Sequence, residues 1–183
     1  DAGGRVVLFA CDRPANLLDS SAFGPCRAAR VDPADVGDPT AYRYWNGSSW
    51  VAGESNATAL SMPAGAAPGL GYPASSFTVT FDPTLGAYVM VYSPWPGFTD
   101  RAVVRVARSP QGPWTPPVEV RFAGCDERVR GEAKVCYGAT AQPALSSAGV
   151  LGLGYHDQAV LTPDGRRGGR YLTVTVPFVV ADP

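Results

Sequence analysis

Apolar and polar residues alternate with period two along several short stretches of this chain. No stretch keeps an i, i+3, i+4, i+7 apolar face for three turns. The pattern predicts strands joined by turns. It is clearest over residues 76–122. Ser76-Phe77-Thr78-Val79-Thr80-Phe81 predicts a strand, stopped by the turn Asp82-Pro83-Thr84-Leu85-Gly86. Residues 87–92 predict a second strand, and residues 101–108 a third in which Val and Arg alternate. The tight turn Ser109-Pro110-Gln111-Gly112-Pro113-Trp114 then leads into a fourth strand over residues 118–122. Consecutive strands joined by short turns form an antiparallel meander, the unit of a propeller blade.

The unit recurs imperfectly on both sides. Upstream, residues 5–10, 28–31, 41–45 and 50–51 read as strands, with the turn Asn46-Gly47-Ser48-Ser49 between the last two. Downstream, residues 140–145, 150–156 and 170–180 do so, the last pair separated by Asp164-Gly165 and a Gly-rich stretch. Such recurrence predicts an all-β repeat architecture, a β-propeller, with an ordinary β-sandwich as the alternative. Blade segments fall at about residues 1–60, 72–122 and 137–183, one domain spanning 1–183. That is about two and a half blades of a ring. Asp1-Ala2-Gly3-Gly4 reads as a hairpin turn whose preceding strand is missing. An open ring exposes unpaired strand edges. Either the rest of the ring lies on another chain or this chain assembles with itself; the expected partner is the N-terminal half of the same propeller, present as a second chain.

Composition narrows the picture. The chain has 45% hydrophobic and 17% charged residues, a net charge of −1 and a pI near 5.8. Nothing resembles a basic stripe for phosphate neutralisation, so nucleic acid is not an expected partner. No run reaches the roughly 18 apolar residues of a membrane span, and no leader-type segment is present, so any signal peptide is expected to have been removed. The 21 glycines and 18 prolines argue against long helices. The four cysteines form two local pairs, Cys11 with Cys26 and Cys125 with Cys136. Neither pair has zinc-knuckle or redox spacing, and the single histidine cannot complete a Cys/His metal site. Two loop-stapling disulfides, each worth about 3 kcal/mol, and an oxidising, extracellular compartment are the expectation. No metal and no cofactor are expected. The sequons at Asn46 and Asn56 fit surface turns.

Several of these turns and strand starts are familiar as a set. Residues 42–50 (Tyr-Arg-Tyr-Trp-Asn-Gly-Ser-Ser-Trp) resemble a secreted actinobacterial propeller family that includes endo-D-arabinanases, long labelled a domain of unknown function. So do Ser76-Phe77-Thr78-Val79, Leu85-Gly86-Ala87-Tyr88-Val89-Met90-Val91-Tyr92, Arg108-Ser109-Pro110 with Gly112-Pro113-Trp114, and Tyr137-Gly138-Ala139. Wider similarity reaches the five-bladed furanosidases. The resemblance implies a five-bladed ring and hydrolysis of a furanose-containing polysaccharide such as arabinan. Where relatives of this kind show His-Pro after Tyr-Gly-Ala, this chain has Gln142-Pro143. The resemblance also implies that the catalytic carboxylates lie in the first blades, on the missing half.

In a propeller, ligands gather at one face, on loops leading into innermost strands and loops joining second to third strands. Glycoside hydrolysis ordinarily uses two carboxyl groups. Asp12, Asp19, Asp100 and Asp157 are the acidic residues of that face, and Asp12 and Asp100, near the ends of second strands, are the catalytic candidates. A turn-capping role is the commoner use of such an Asp. Tyr72, Trp95, Tyr137, Gln142, His156 and Asp157 are the expected substrate contacts; Trp95 with Phe98, on a Pro-stiffened loop, reads either as a stacking platform or as packing against a neighbouring blade. Trp45, Trp50 and Trp114 read as blade packing instead. No serine sits in a nucleophile elbow, and no helix offers a phosphate loop. Three functions follow from these features. The first is an enzyme supplying half of a polysaccharide cleft, the second a non-catalytic carbohydrate- or protein-binding propeller, and the third a module whose open edges recruit another chain.

Overall fold

The computed structural model describes residues 3–16, 19, 23–63, 70–73, 77–95, 100–122, 125, 128–129, 132–133, 136–161 and 167–178. Asp1, Ala2, Ser76, Phe98, Asp164 and Gly165, which carried expectations above, lie outside these residues. Among them the regular structure is all strand, interrupted only by short 3-10 turns. The first sheet holds β1 (Val6–Cys11), β2 (Cys26–Val31), β3 (Arg43–Trp45) and β4 (Trp50–Val51). The second holds β5 (Phe77–Asp82), β6 (Ala87–Tyr92), β7 (Arg101–Ala107) and β8 (Val118–Arg121). A two-stranded hairpin, β9 (Arg128–Val129) and β10 (Glu132–Ala133), precedes the third sheet of β11 (Cys136–Ala141), β12 (Val150–Leu161) and β13 (Arg167–Pro177). In every sheet, chain neighbours are ladder neighbours and run antiparallel. The result is a set of meanders, as expected of a propeller-like all-β fold.

The second sheet sits between the other two, and period-two alternation is the reason. Val89 and Val91 of β6, with Ala102, Val104 and Val106 of β7, pack on Leu151, Leu153 and Tyr155 of the third sheet. The intervening residues Met90, Tyr92, Val103 and Ala107 face the opposite way, onto Cys26, Ala28, Leu60 and Trp114, with Phe9 and Trp45 behind them. Full burial of each Val or Met side chain is worth about 1.5–3 kcal/mol, so the middle sheet carries much of the hydrophobic stabilisation. Rings join the layers at two points. Phe122 stacks on Tyr155 at 4.0 Å between centroids, and Phe9 meets Phe77 edge-on at 6.4 Å.

The structure moves some boundaries read from sequence. Residues 140–145 are not one strand: β11 ends at Ala141, and Pro143–Leu145 is a 3-10 turn, since Pro143 has no N–H for a ladder. Residue 41 belongs to the 3-10 turn Pro39–Ala41, begun by Asp38, whose side chain accepts from the Thr40 N–H at 2.8 Å. The Val/Arg alternation of β7 does not mark a solvent face: Arg105 is fully buried. Trp114 is 2% exposed, and Trp45 and Trp50 pack on the same core, so all three are packing residues. Both expected disulfides form, Cys11–Cys26 and Cys125–Cys136. No helix among the described residues is long and apolar enough to cross a membrane.

Candidate functional site

The third sheet carries a polar, aromatic outer face. Leu151, Leu153 and Tyr155 point into the core, so Gly152, Gly154 and His156 point away from it. The ladder sets Tyr137 of β11 opposite His156, and His156 opposite Tyr171 of β13, which makes a row Tyr137–His156–Tyr171 across three strands. The Tyr137 and His156 rings lie 4.8 Å apart between centroids, and Tyr171 is 52% exposed. One row further along stand Thr140, Gly154 and Thr173.

A bulge makes this arrangement possible. Tyr137 and Thr140 are an odd number of residues apart, so a regular strand would send them to opposite faces. The register instead shifts between them, and Gly138 takes the extra residue with φ +66°, a conformation glycine adopts without strain. Both side chains then reach the outer face. Tyr171 leans diagonally over Gly154, where any Cβ would collide with its phenol oxygen. From there its hydroxyl shares a short hydrogen bond with Thr140 Oγ1 and accepts one from Gln142 Nε2 at 2.9 Å. Gln142 Nε2 also donates to Thr140 Oγ1 at 3.1 Å. Gln142 thus locks Tyr171 in place. Three expected contacts, Tyr137, Gln142 and His156, converge here. Tyr171 was missed because only the ladder register brings it beside His156.

The other expected residues are distributed differently. Asp157 follows His156 on the strand and so faces inward, 3% exposed, paired in the ladder with Cys136 and Arg170. Tyr72 packs on the core between the first and second sheets. Trp95 is half-buried after the buried Ser93 and Pro94, and the Ala139 N–H donates to Ser93 Oγ at 3.4 Å, tying the Trp95 loop to β11. Asp19 is exposed beyond β1.

The two catalytic candidates are both held by arginines. Asp12 is exposed just past β1 and accepts from Arg27 Nη1 at 2.6 Å. Asp100, at the β6–β7 connection, accepts from Arg101 Nε at 3.2 Å on one oxygen and from Arg121 Nη1 at 2.7 Å on the other. Arg101 also donates to Glu119 at 2.7 Å, and Glu119 first, then Asp100, raise its pKa above the ordinary guanidinium value. Among the described residues no group of three His, Cys, Asp or Glu side chains is placed to hold a metal ion.

Stacked antiparallel meanders with a polar face on the last sheet define the class: an all-β, propeller-like protein. Over residues 19–155 the chain matches the family described as a domain of unknown function (DUF4185), and it belongs to that family. None of the curated proteins matches it. The matched span includes Asp100, Tyr137 and Gln142 and stops one residue before His156.

Proposed function

We propose that this chain is part of a secreted, glycoside hydrolase-like propeller acting on a furanose-containing polysaccharide such as arabinan, and that its own share is to hold the sugar. One observation carries the reading: the row Tyr137–His156–Tyr171 with Gln142 bonded beside it. Aromatic faces suit the C–H surface of a sugar, while amide, imidazole and phenol groups bond its hydroxyls. The substrate class, the five-bladed ring and the actinobacterial link come from the sequence resemblance to propellers that include endo-D-arabinanases. The two disulfides support an extracellular setting.

Hydrolysis needs two carboxyl groups about 5–9.5 Å apart across a bond. The arginine partners of Asp12 and Asp100 favour a catalytic pair on the N-terminal half of the ring, a second chain seated at the β1 edge. That edge has no ladder partner among the described residues, and Val6 and Leu8 beside it are 39% and 41% exposed. A non-catalytic carbohydrate-binding module would use the same row, so hydrolysis separates the two readings and binding tests both. Electrophoresis of the purified protein through gels containing arabinan should show retardation, and Tyr137→Ala should weaken it by at least about tenfold. Migration unaffected by arabinan would remove the proposal.

A further inference from the structure

At the end of the first sheet where Val6 pairs with Val31, opposite the Cys11–Cys26 end, lies a cavity of about 410 Å³. Arg5, Arg30, Asp32, Asp35, Arg43 and Trp50 line it. The local sequence explains its shape. β2 ends at Val31, the 3-10 turns Pro33–Asp35 and Pro39–Ala41 carry the chain over the sheet end, and β3 and β4 return with Arg43 and Trp50.

Three guanidiniums face two carboxylates, an excess of one positive charge. Arg5 Nε approaches Asp32 at 3.7 Å. Arg43 Nη1 is directed to the carbonyl oxygens of Thr40, Ala41 and Tyr42, at 3.1, 3.2 and 3.0 Å, rather than to a carboxylate. Arg30 is the uncommitted cation. Its guanidinium lies over the Trp50 ring, 4.7 Å from the centroid, and makes no hydrogen bond or ion pair to a described residue. A guanidinium held over a ring by cation–π attraction still has N–H donors to offer a bidentate oxyanion. Burial, and then the charge of Arg5, hold the Arg30 pKa below the ordinary value, with Asp32 opposing. The lining thus keeps one guanidinium more than it has carboxylates, and Asp32 is already shared with Arg5. Its volume is more than ten times the roughly 30 Å³ share of one water, so a bare ion leaves most of it unfilled.

We propose that this cavity binds an acidic sugar unit, its carboxylate or phosphate gripped by the Arg30 fork and its ring occupying the remaining space. The site is separate from the Tyr137–His156–Tyr171 face and stands or falls without it.

The test titrates the purified protein with D-glucuronate, glucose 6-phosphate, inorganic phosphate and neutral D-glucose, following the Arg30 Nε–Hε signal by NMR. The two acidic sugars should shift that signal saturably, with whichever oxyanion fits better binding tighter, and glucose should not. Arg30→Gln should weaken binding at least about tenfold, a decade being 1.4 kcal/mol. It should leave arabinan retardation and the unliganded circular dichroism spectrum unchanged. Because the wild-type signal is read directly, the proposal remains testable if that variant folds poorly. Inorganic phosphate binding as tightly as glucose 6-phosphate would overturn the sugar assignment. Failure of both acidic sugars to shift the Arg30 signal, or undiminished binding by Arg30→Gln, would overturn the site.

Discussion

Arg105 Nε donates to the Tyr92 hydroxyl at 3.0 Å, and both side chains are fully buried. The same guanidinium donates to the carbonyl oxygens of Pro63, Thr115 and Gly71 at 2.9, 2.7 and 2.9 Å, and Tyr92 donates to Leu70 at 2.6 Å. The pair therefore ties the link between the first and second sheets to the middle of β7. Arg105→Met leaves the Pro63 and Thr115 carbonyls without this donor and Gly71 with only the Tyr92 hydroxyl at 3.4 Å, and each carbonyl left unpaired costs about 1–3 kcal/mol where it remains buried. The expected loss is about 3–5 kcal/mol in urea unfolding, whereas Arg121→Ala, an exposed ion-pair change, should cost no more than about 1 kcal/mol.

Burial raises the Tyr92 phenol above its ordinary value, with Arg105 pulling the other way. A phenol whose folded pKa exceeds its unfolded one contributes stability that is complete below about pH 10 and disappears as pH climbs through the folded value. Unfolding free energy should accordingly fall above about pH 10. Tyr92→Phe should be less stable at neutral pH, by about 1–3 kcal/mol, and should lack this share of the alkaline loss. An unchanged alkaline slope in the variant would assign it to other groups.

Gly154 gives room to Tyr171, and the expected phenotype of Gly154→Ala is local. The methyl group displaces the phenol from Thr140 and Gln142, so sugar binding should fall about tenfold. The unfolding midpoint should move far less than in Arg105→Met. Equal loss of binding and of folding would make Tyr171 a structural residue.

The Cys125–Cys136 bridge closes a short loop, with a sequence separation of 11. Replacing both cysteines with serine should cost about 2–4 kcal/mol, measured by urea unfolding. Peptide mapping without reduction should recover this bridge and Cys11–Cys26, and a crossed linkage would contradict the fold.

Legibility in the sequence followed local chemistry. β5 to β8 were readable because β-branched and aromatic alternation is bounded there by Pro- and Gly-containing turns. The start of β11 was hidden: Gly138 and Ala139 have weak strand preference, and the following Pro143-Ala144-Leu145 has the apolarity of a strand with the backbone of a turn. β9 and β10 are two residues each, too short to show any period. At the site, Tyr137, Gln142 and His156 were legible as loop and strand-end residues. Their convergence was not, because it depends on the Gly138 bulge and on pairings of β11, β12 and β13 that no local pattern encodes. The Arg101 and Arg121 partners of Asp100 were equally unreadable, being brought together by the β7–β8 ladder.

The chain has one histidine, and it stands in the middle of the candidate row. Its imidazole Hε1 proton therefore gives a single reporter at the place where sugar is expected to bind. Titrating the purified protein with arabino-oligosaccharides should move the His156 signal saturably, and Tyr137→Ala should weaken that response at least about tenfold. A His156 signal that stays fixed while the protein remains folded and the oligosaccharide is in large excess would contradict the account.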